Sequence, residues 1–275
     1  MGTLQKKSAD KFIELMVEST PLLKLISFTT MSDPISSYPL LTLSRYKTRP
    51  IGRNTVASLQ NVGDIMINFN AKEVVLPLVI PDSYIEDMES SHEKVANYIA
   101  KVFGMDMQYL FINGDMDATG SDDKTSLRKA LNGITKQIAT AGKTVDYPTA
   151  ATELEKIKIL VKALPETTLA DPDLKILIGS GAYTSLWDEI ANNSDSKALL
   201  MQNGVIKYRG KEVIEIPELS KITIINPGHI AGGICRDISI EKQRYPEARG
   251  SKVVCSARVD FQVVTEACLM EGDAE

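Results

Sequence analysis

The stretch from Glu73 to Asp115 constrains the fold most, because it joins a strand to a long helix across one proline. Val74 to Ile80 is an apolar run of strand length. Pro81 stops it, since proline cannot donate to a ladder and suits the first turn of a helix. Tyr84, Ile85 and Met88 then share one face of a short helix. From about Glu93 a second helix is predicted. Val95, Ile99, Val102, Tyr109 and Ile112 lie near helical spacing, and Tyr98, Phe103, Met105 and Leu110 widen the stripe. Asn113-Gly114-Asp115 ends it, with glycine near the position of a left-handed cap. At 1.5 Å per residue this helix runs about 30 Å. Gly104 inside it costs about 1 kcal/mol relative to alanine, which calls for close packing or a slight bend there.

Before this stretch the chain holds an arm and a hairpin. Residues 1–32 read as an N-terminal arm, with Phe12, Ile13, Met16 and Val17 on one helical stripe. Thr20-Pro21 interrupts it, and Leu22, Leu23, Leu25 and Ile26 continue the apolar signal. Docking on the chain's own core is the simpler reading, a partner-binding arm the other. Residues 33–72 carry strand signals at Tyr38 and Leu40–Leu43, and again at Ile65, Ile67 and Phe69. Between them lie Arg45, Lys47, Arg49 and Arg53, set among Pro50 and Gly52 as a basic, turn-like tip. Two strands alone are marginal, so an extended hairpin of this reach needs a second surface, which a neighbouring copy can supply.

After the long helix, Asp117 to Asp123 form an acidic loop. Asp115, Asp117, Asp122 and Asp123 lack the glycine and glutamate positions of a calcium loop, so they read as a solvated turn. Leu127, Ala130, Leu131, Ile134 and Ile138 return to helical spacing, weakened at Asn132-Gly133. Pro148 is expected to open a helix carrying Leu154, Ile157, Leu160, Val161 and Leu164, which Pro165 closes. A strand over Leu174–Ile178, the turn Gly179-Ser180-Gly181 and a helix carrying Tyr183, Leu186, Trp187 and Ile190 complete an α/β unit. The remainder is mainly strands: a hairpin turning at Arg209-Gly210-Lys211, a strand at Ile222–Ile225, and another starting at Ile238 and Ile240. The last strand alternates cleanly, with Val253, Cys255, Ala257, Val259, Phe261 and Val263 on one face.

Composition narrows function more than it names it. The 275 residues are 43% hydrophobic and 24% charged, an ordinary globular balance. A net charge of -5 argues against a dedicated nucleic-acid-binding protein. Cys235, Cys255 and Cys268 are too few and scattered for a disulfide framework and fit a reducing compartment. The start is too polar for a signal peptide, and no apolar run approaches a membrane span. His92 and His229 have no second ligand at zinc spacing. Gly179-Ser180-Gly181 is the most enzyme-like feature, since backbone N–H groups at a strand–helix turn can meet an anion. It lacks the spacing of a dinucleotide loop, a phosphate loop or a nucleophile elbow, and reads first as a tight turn. No catalytic, cofactor-binding or metal-ligating set is assigned.

The order strand, proline turn, acidic helix, long helix and F-I-N-G-D resembles the spine region of tailed-phage major capsid proteins, the Hong Kong 97 fold. Asp82, Ser83, Ile85, Glu86 and Asp87 sit where that family tends to carry S-D-E-L-L-E-D, and Phe111, Asn113, Gly114 and Asp115 match its F-L-N-G-D/T. Leu131-Asn132-Gly133-Ile134 is loosely similar to its P-x-G-I/L. Tyr208 to Leu219 is similar to its L-x-G-y-P-V stretch, with Lys211-Glu212 where proline is frequent. The resemblance implies an α+β fold: an N-terminal arm (1–32), an extended loop (33–72), a peripheral domain with a long spine helix (73–120 with 235–265), a central α/β domain (121–234) and a C-terminal tail (266–275). It implies a structural protein, not an enzyme, that self-assembles into the hexamers and pentamers of an icosahedral shell. That shell encloses double-stranded DNA without sequence-specific binding. It implies no cofactor, a place in the virion after assembly in the host cytoplasm, and scaffold, portal and decoration proteins as partners, with no membrane. The arm is not preceded by a long segment, which calls for a separate scaffold or a removed upstream piece. Arg45, Lys47, Arg49 and Arg53 are then inter-subunit contacts at the loop tip. An encapsulin-like compartment is the alternative within the fold, and an α/β enzyme binding an anion at Gly179–Gly181 the alternative outside it.

Overall fold

The computed structural model describes residues 6–31, 33–42, 63–81, 91–192, 199–202, 205–235, 239–245, 249–264 and 268–274. Helix α1 (Lys6–Glu18) and the short α2 (Pro21–Leu25) open the chain, with Pro21 in the first turn of α2, where a missing N–H costs nothing. Strand β1 (Ser27–Met31) follows. Strands β2 (Ile35–Thr42) and β3 (Gly63–Asn70) form an antiparallel hairpin, in register from Ile35 opposite Asn70 at its root to Thr42 opposite Gly63. The basic tip with Arg45, Lys47, Arg49 and Arg53 lies outside the described residues, as does the short helix read at Tyr84, Ile85 and Met88. Strand β4 (Lys72–Pro81) covers the predicted apolar run and ends on its proline.

The long helix is α3 (Ser91–Asn113), of 23 residues. Its buried stripe is Ile99, Ala100, Phe103, Met107, Leu110, Phe111 and Ile112, whereas Tyr98 and Met105 are exposed. The apolar side chains therefore exceed what one face can bury, and spacing alone placed the stripe too broadly. Gly104 lets α1 approach: a Cβ there would lie 2.2 Å from the Ser19 hydroxyl and 2.7 Å from the Met16 carbonyl. Close packing is thus the reason for that glycine. Gly114 is not a left-handed cap, because its φ is not positive. The helix end is instead tied down by partners: Arg128 Nε donates to the Asn113 carbonyl at 2.8 Å, and the Asp115 amide donates to the Arg128 carbonyl at 2.8 Å.

The segment after α3 contains α4 (Asp123–Arg128) and α5 (Ile134–Thr140), broken at Asn132-Gly133. Strand β5 (Thr144–Tyr147) ends just before Pro148, and Pro148 does not open the expected helix. Helix α6 (Glu153–Ala163) starts later, because Thr152 and Glu155 form a reciprocal capping box that satisfies two orphan amides. The short α7 (Glu166–Leu169), β6 (Lys175–Ile178), α8 (Ser180–Asn192) and β7 (Leu199–Gln202) follow. Strands β8 (Val205–Tyr208) and β9 (Lys211–Glu215) make the expected hairpin, with Arg209 and Gly210 at φ 47° and 80° in its turn. The remaining strands are β10 (Thr223–Ile225), β11 (Ile230–Cys235), β12 (Ser239–Tyr245), β13 (Gly250–Val263) and β14 (Leu269–Ala274).

Two larger sheets organise these elements. In the first, β13 is central: β4 pairs with one edge, while β12 and β11 pair in succession with the other, and β1 extends the sheet beyond β11. In the second the order is β5-β14-β10-β6-β9-β8-β7. Residues 266–275 are therefore not a tail, because Leu269–Ala274 is a strand between β5 and β10. Likewise Ser27–Met31 of the expected arm and Ile230–Ile234 of the expected central domain belong to the β13 sheet. One core joins α1, α2 and α3 to β13, and a second lies between α6, α8 and the β6 region of the other sheet.

Candidate assembly surfaces

The polar clusters flagged in the sequence are occupied by structural duties. Lys136 Nζ bridges Asp115 at 2.9 Å and Asp117 at 3.1 Å. That hydrogen bond to Lys136 holds the Asp115 carboxyl below its ordinary range. Asp122 caps α4, accepting from the Thr125 amide at 3.2 Å and its hydroxyl at 2.5 Å. Among the described residues no group of three or more His, Cys, Asp or Glu is set to hold a metal. Gly179 is buried because a Cβ there would lie 2.0 Å from the Leu219 carbonyl, and its own carbonyl accepts from the Tyr183 amide to start α8. Close strand–loop packing therefore accounts for the first glycine of the G-S-G turn. No disulfide links Cys235, Cys255 and Cys268, and all three are buried. Burial pushes the Cys255 thiol to about 11 and the Cys268 thiol to about 12. Among the described residues no helix is long and apolar enough to cross a membrane.

Among the described residues, the large apolar side chains left exposed lie on the hairpin, β4 and α3 and just past the end of α3. Ile35 is 77% exposed and Met66 53% exposed on the hairpin, while Ile67 and Phe69 at its base are buried. Strand β4 shows Val75 and Val79 at about half exposure, and among the described residues no strand pairs with its outer edge. Pro77 fits such an edge, where a ladder donor is not required. The outer side of α3 adds Tyr98 and Met105, and Met116 follows its end. A groove of about 1000 Å³ runs between β4, α3 and α4; Val75, Pro77, Met105 and Tyr109 line it together with Asp106 and Glu218. Burial, and next the nearby Glu218 carboxylate, raise the Asp106 carboxyl above its ordinary value. The sequence signal for these surfaces was the excess of apolar residues on β4 and α3 over what one face can bury. Their exposure emerges only from the packing.

No family model matches the sequence, and no curated protein matches it. Solved structures do match, nearly end to end. A chain of the satellite phage P4 procapsid, which includes the size determination (Sid) protein, is 11% identical with a TM-score of 0.71, over 97% of this chain and 99% of that one. The capsid of an empty GTA particle gives 14% identity and a TM-score of 0.60, over 94% and 90%. The SrpI encapsulin complex of Synechococcus elongatus gives 12% identity and 0.57, over 91% and 85%. With its long spine helix, hairpin and two sheets, the chain has the fold of these shells, the Hong Kong 97 capsid fold.

Proposed function

We propose that this chain is the major capsid protein of a tailed double-stranded DNA phage and assembles with itself into the hexamers and pentamers of an icosahedral head. The observation that carries the reading is the end-to-end likeness to a phage procapsid chain. The exposed apolar residues of the hairpin, β4 and α3 supply surface for neighbouring copies to cover. Many such contacts, each modest, hold a closed shell. Arg45, Lys47, Arg49 and Arg53 meet the adjacent subunit in this reading. The role is mechanical rather than enzymatic. A net charge of -5 suits a container that encloses double-stranded DNA without sequence-specific grip, since a strongly basic lining would retain it. Scaffold, portal and decoration proteins are its further partners, assembly takes place in the host cytoplasm, and the virion is its destination. The division into arm (1–32), extended loop (33–72), peripheral domain (73–120 with 235–265) and central domain (121–234) is part of the proposal, with β1, β11 and β14 redrawing its edges.

A second reading keeps the fold and changes the contents. The encapsulin likeness favours a compartment filled with protein. Electron microscopy of the purified protein, followed by nuclease digestion and extraction of particles made with the other head proteins, separates the readings. Closed shells that protect double-stranded DNA are the expected result. Shells that protect only a protein cargo would move the assignment to a compartment, and a uniform monomer at high concentration with scaffold present would end both.

A further inference from the structure

Ile67 and Phe69 anchor the base of the hairpin in a core with Met31, Ala231 and Cys235, and beside this apolar anchor lies an unusual polar tie. Asp260 lies on β13 and is 5% exposed. Its Oδ2 accepts from the amide of Asn70, the last residue of β3, at 2.7 Å. Its Oδ1 accepts from the amide of Phe261 at 2.7 Å, and Gln262 Nε2 donates to both oxygens at 3.4 and 3.2 Å. Among the described residues Asp260 makes no salt bridge. A well-packed apolar side chain at such a site is often neutral or more stable than a buried charge. A carboxylate can do what an apolar side chain cannot, which is to hold amides of two separate strands at once.

The position of this tie matters mechanically. Asn70 sits opposite Ile35 at the root of the hairpin, and the Ala71 amide closes the root on the Pro34 carbonyl at 2.8 Å. Beside the root lies a cavity of about 260 Å³ lined by Asn70, Lys72, Asn132, Gln137, Asp260 and Gln262, so that side has room for the root to tilt. Eight-residue strands reach about 26 Å, so a tilt of about 10° at the root moves the far end by about 5 Å.

We infer that Asp260 is a positioning residue, setting through the Asn70 amide the angle at which the β2–β3 hairpin leaves the body and so where it meets a neighbouring copy. The angle stands independently of the capsid reading; its consequence for assembly rests on that reading.

Spin labels at Met66→Cys and Lys101→Cys report the angle in the unassembled protein, because both positions are exposed and the three native thiols are buried. Met66 lies four residues, about 13 Å, from Asn70 at the root, so the expected result is one narrow distance with Asp260 present, and with Asp260→Asn a mean displaced by about 2 Å or a distribution broadened to match. Superimposable distributions in the two proteins would overturn the inference. Amide hydrogen exchange in the unsubstituted protein tests the same tie should the variant fail to fold: Asn70 is expected to be protected like the neighbouring ladder amides, and exchange at an open-chain rate would overturn it. In assembly, the variant is expected to give shells of broadened diameter. Unchanged diameters despite a displaced hairpin would overturn the assembly consequence, whereas failure of the unsubstituted protein to form shells would sink the capsid reading and leave the distances to decide the angle.

Discussion

Asp106 is a half-buried carboxyl on α3 that faces the groove and the Glu218 carboxylate. Its folded-state value is raised, so the folded protein binds this proton more tightly than the unfolded chain does. Its contribution is therefore most favourable below the ordinary carboxylate value and is lost as pH rises through the raised one. Asp106→Asn is expected to flatten this fall: urea midpoints measured from acid to neutral pH should decline less in the variant than in the parent. Equal declines would show that the groove does not perturb this group. Single residues of this kind were poorly legible in the sequence. Asp106 reads as one more polar position on a helix, and Glu218 is more than a hundred positions away. The acids that were singled out, Asp115 to Asp123, proved to be partners of Lys136 and a cap for α4.

At the scale of elements, legibility followed the number of buried faces. Strand β13 was plain because its alternate residues Val253 to Phe261 are buried and Lys252 and Arg258 are exposed. Strand β11 was missed because all six of its residues are buried, and Gly232 and Gly233 lie close against Phe28 and Met31. A strand with both faces covered carries no period of two. The junction of α3 with α5 shows the same limit. The helix does stop at Asn113 as read, but Gly114 is there for a backbone crossing with Gly133 rather than as a left-handed cap. The Gly133 amide donates to the Gly114 carbonyl at 3.0 Å, and a Cβ on Gly133 would lie 2.6 Å from the Phe111 carbonyl. Neither backbone can yield as a flexible side chain would. Gly133→Ala is expected to cost about 1–3 kcal/mol, the range for overpacking, read as a lower urea midpoint with unchanged slope. Full retention of the midpoint would mean the two segments can part without loss.

For the whole molecule, the spine, hairpin and final long strand were readable because each carries a local pattern. The sheet edges were not, because they depend on pairings across most of the chain. Ser27 lies opposite Ala231, and Lys72 opposite Val259. The clearest error, a tail at residues 266–275, arose because Leu269–Ala274 is a short run with Gly272 and Asp273 inside it. Yet it fills the place between β5 and β10, and Glu271 joins Lys156 at 3.2 Å and the Ile222 amide at 2.9 Å. Removing residues 269–275 is therefore expected to abolish cooperative folding, seen as loss of the calorimetric transition. A true tail would leave that transition in place.

The placement of β14 also orders events in time. The ribosome delivers the chain from its first residue onward, so β5 and β10 emerge while the slot between them is still empty. A nascent chain can form the early hairpin and spine helix, but its second sheet closes only after residue 274 has been made. A chain still being translated is thus held short of its complete second sheet, and the pool of fully folded protein lags synthesis by the time needed to seat one late strand.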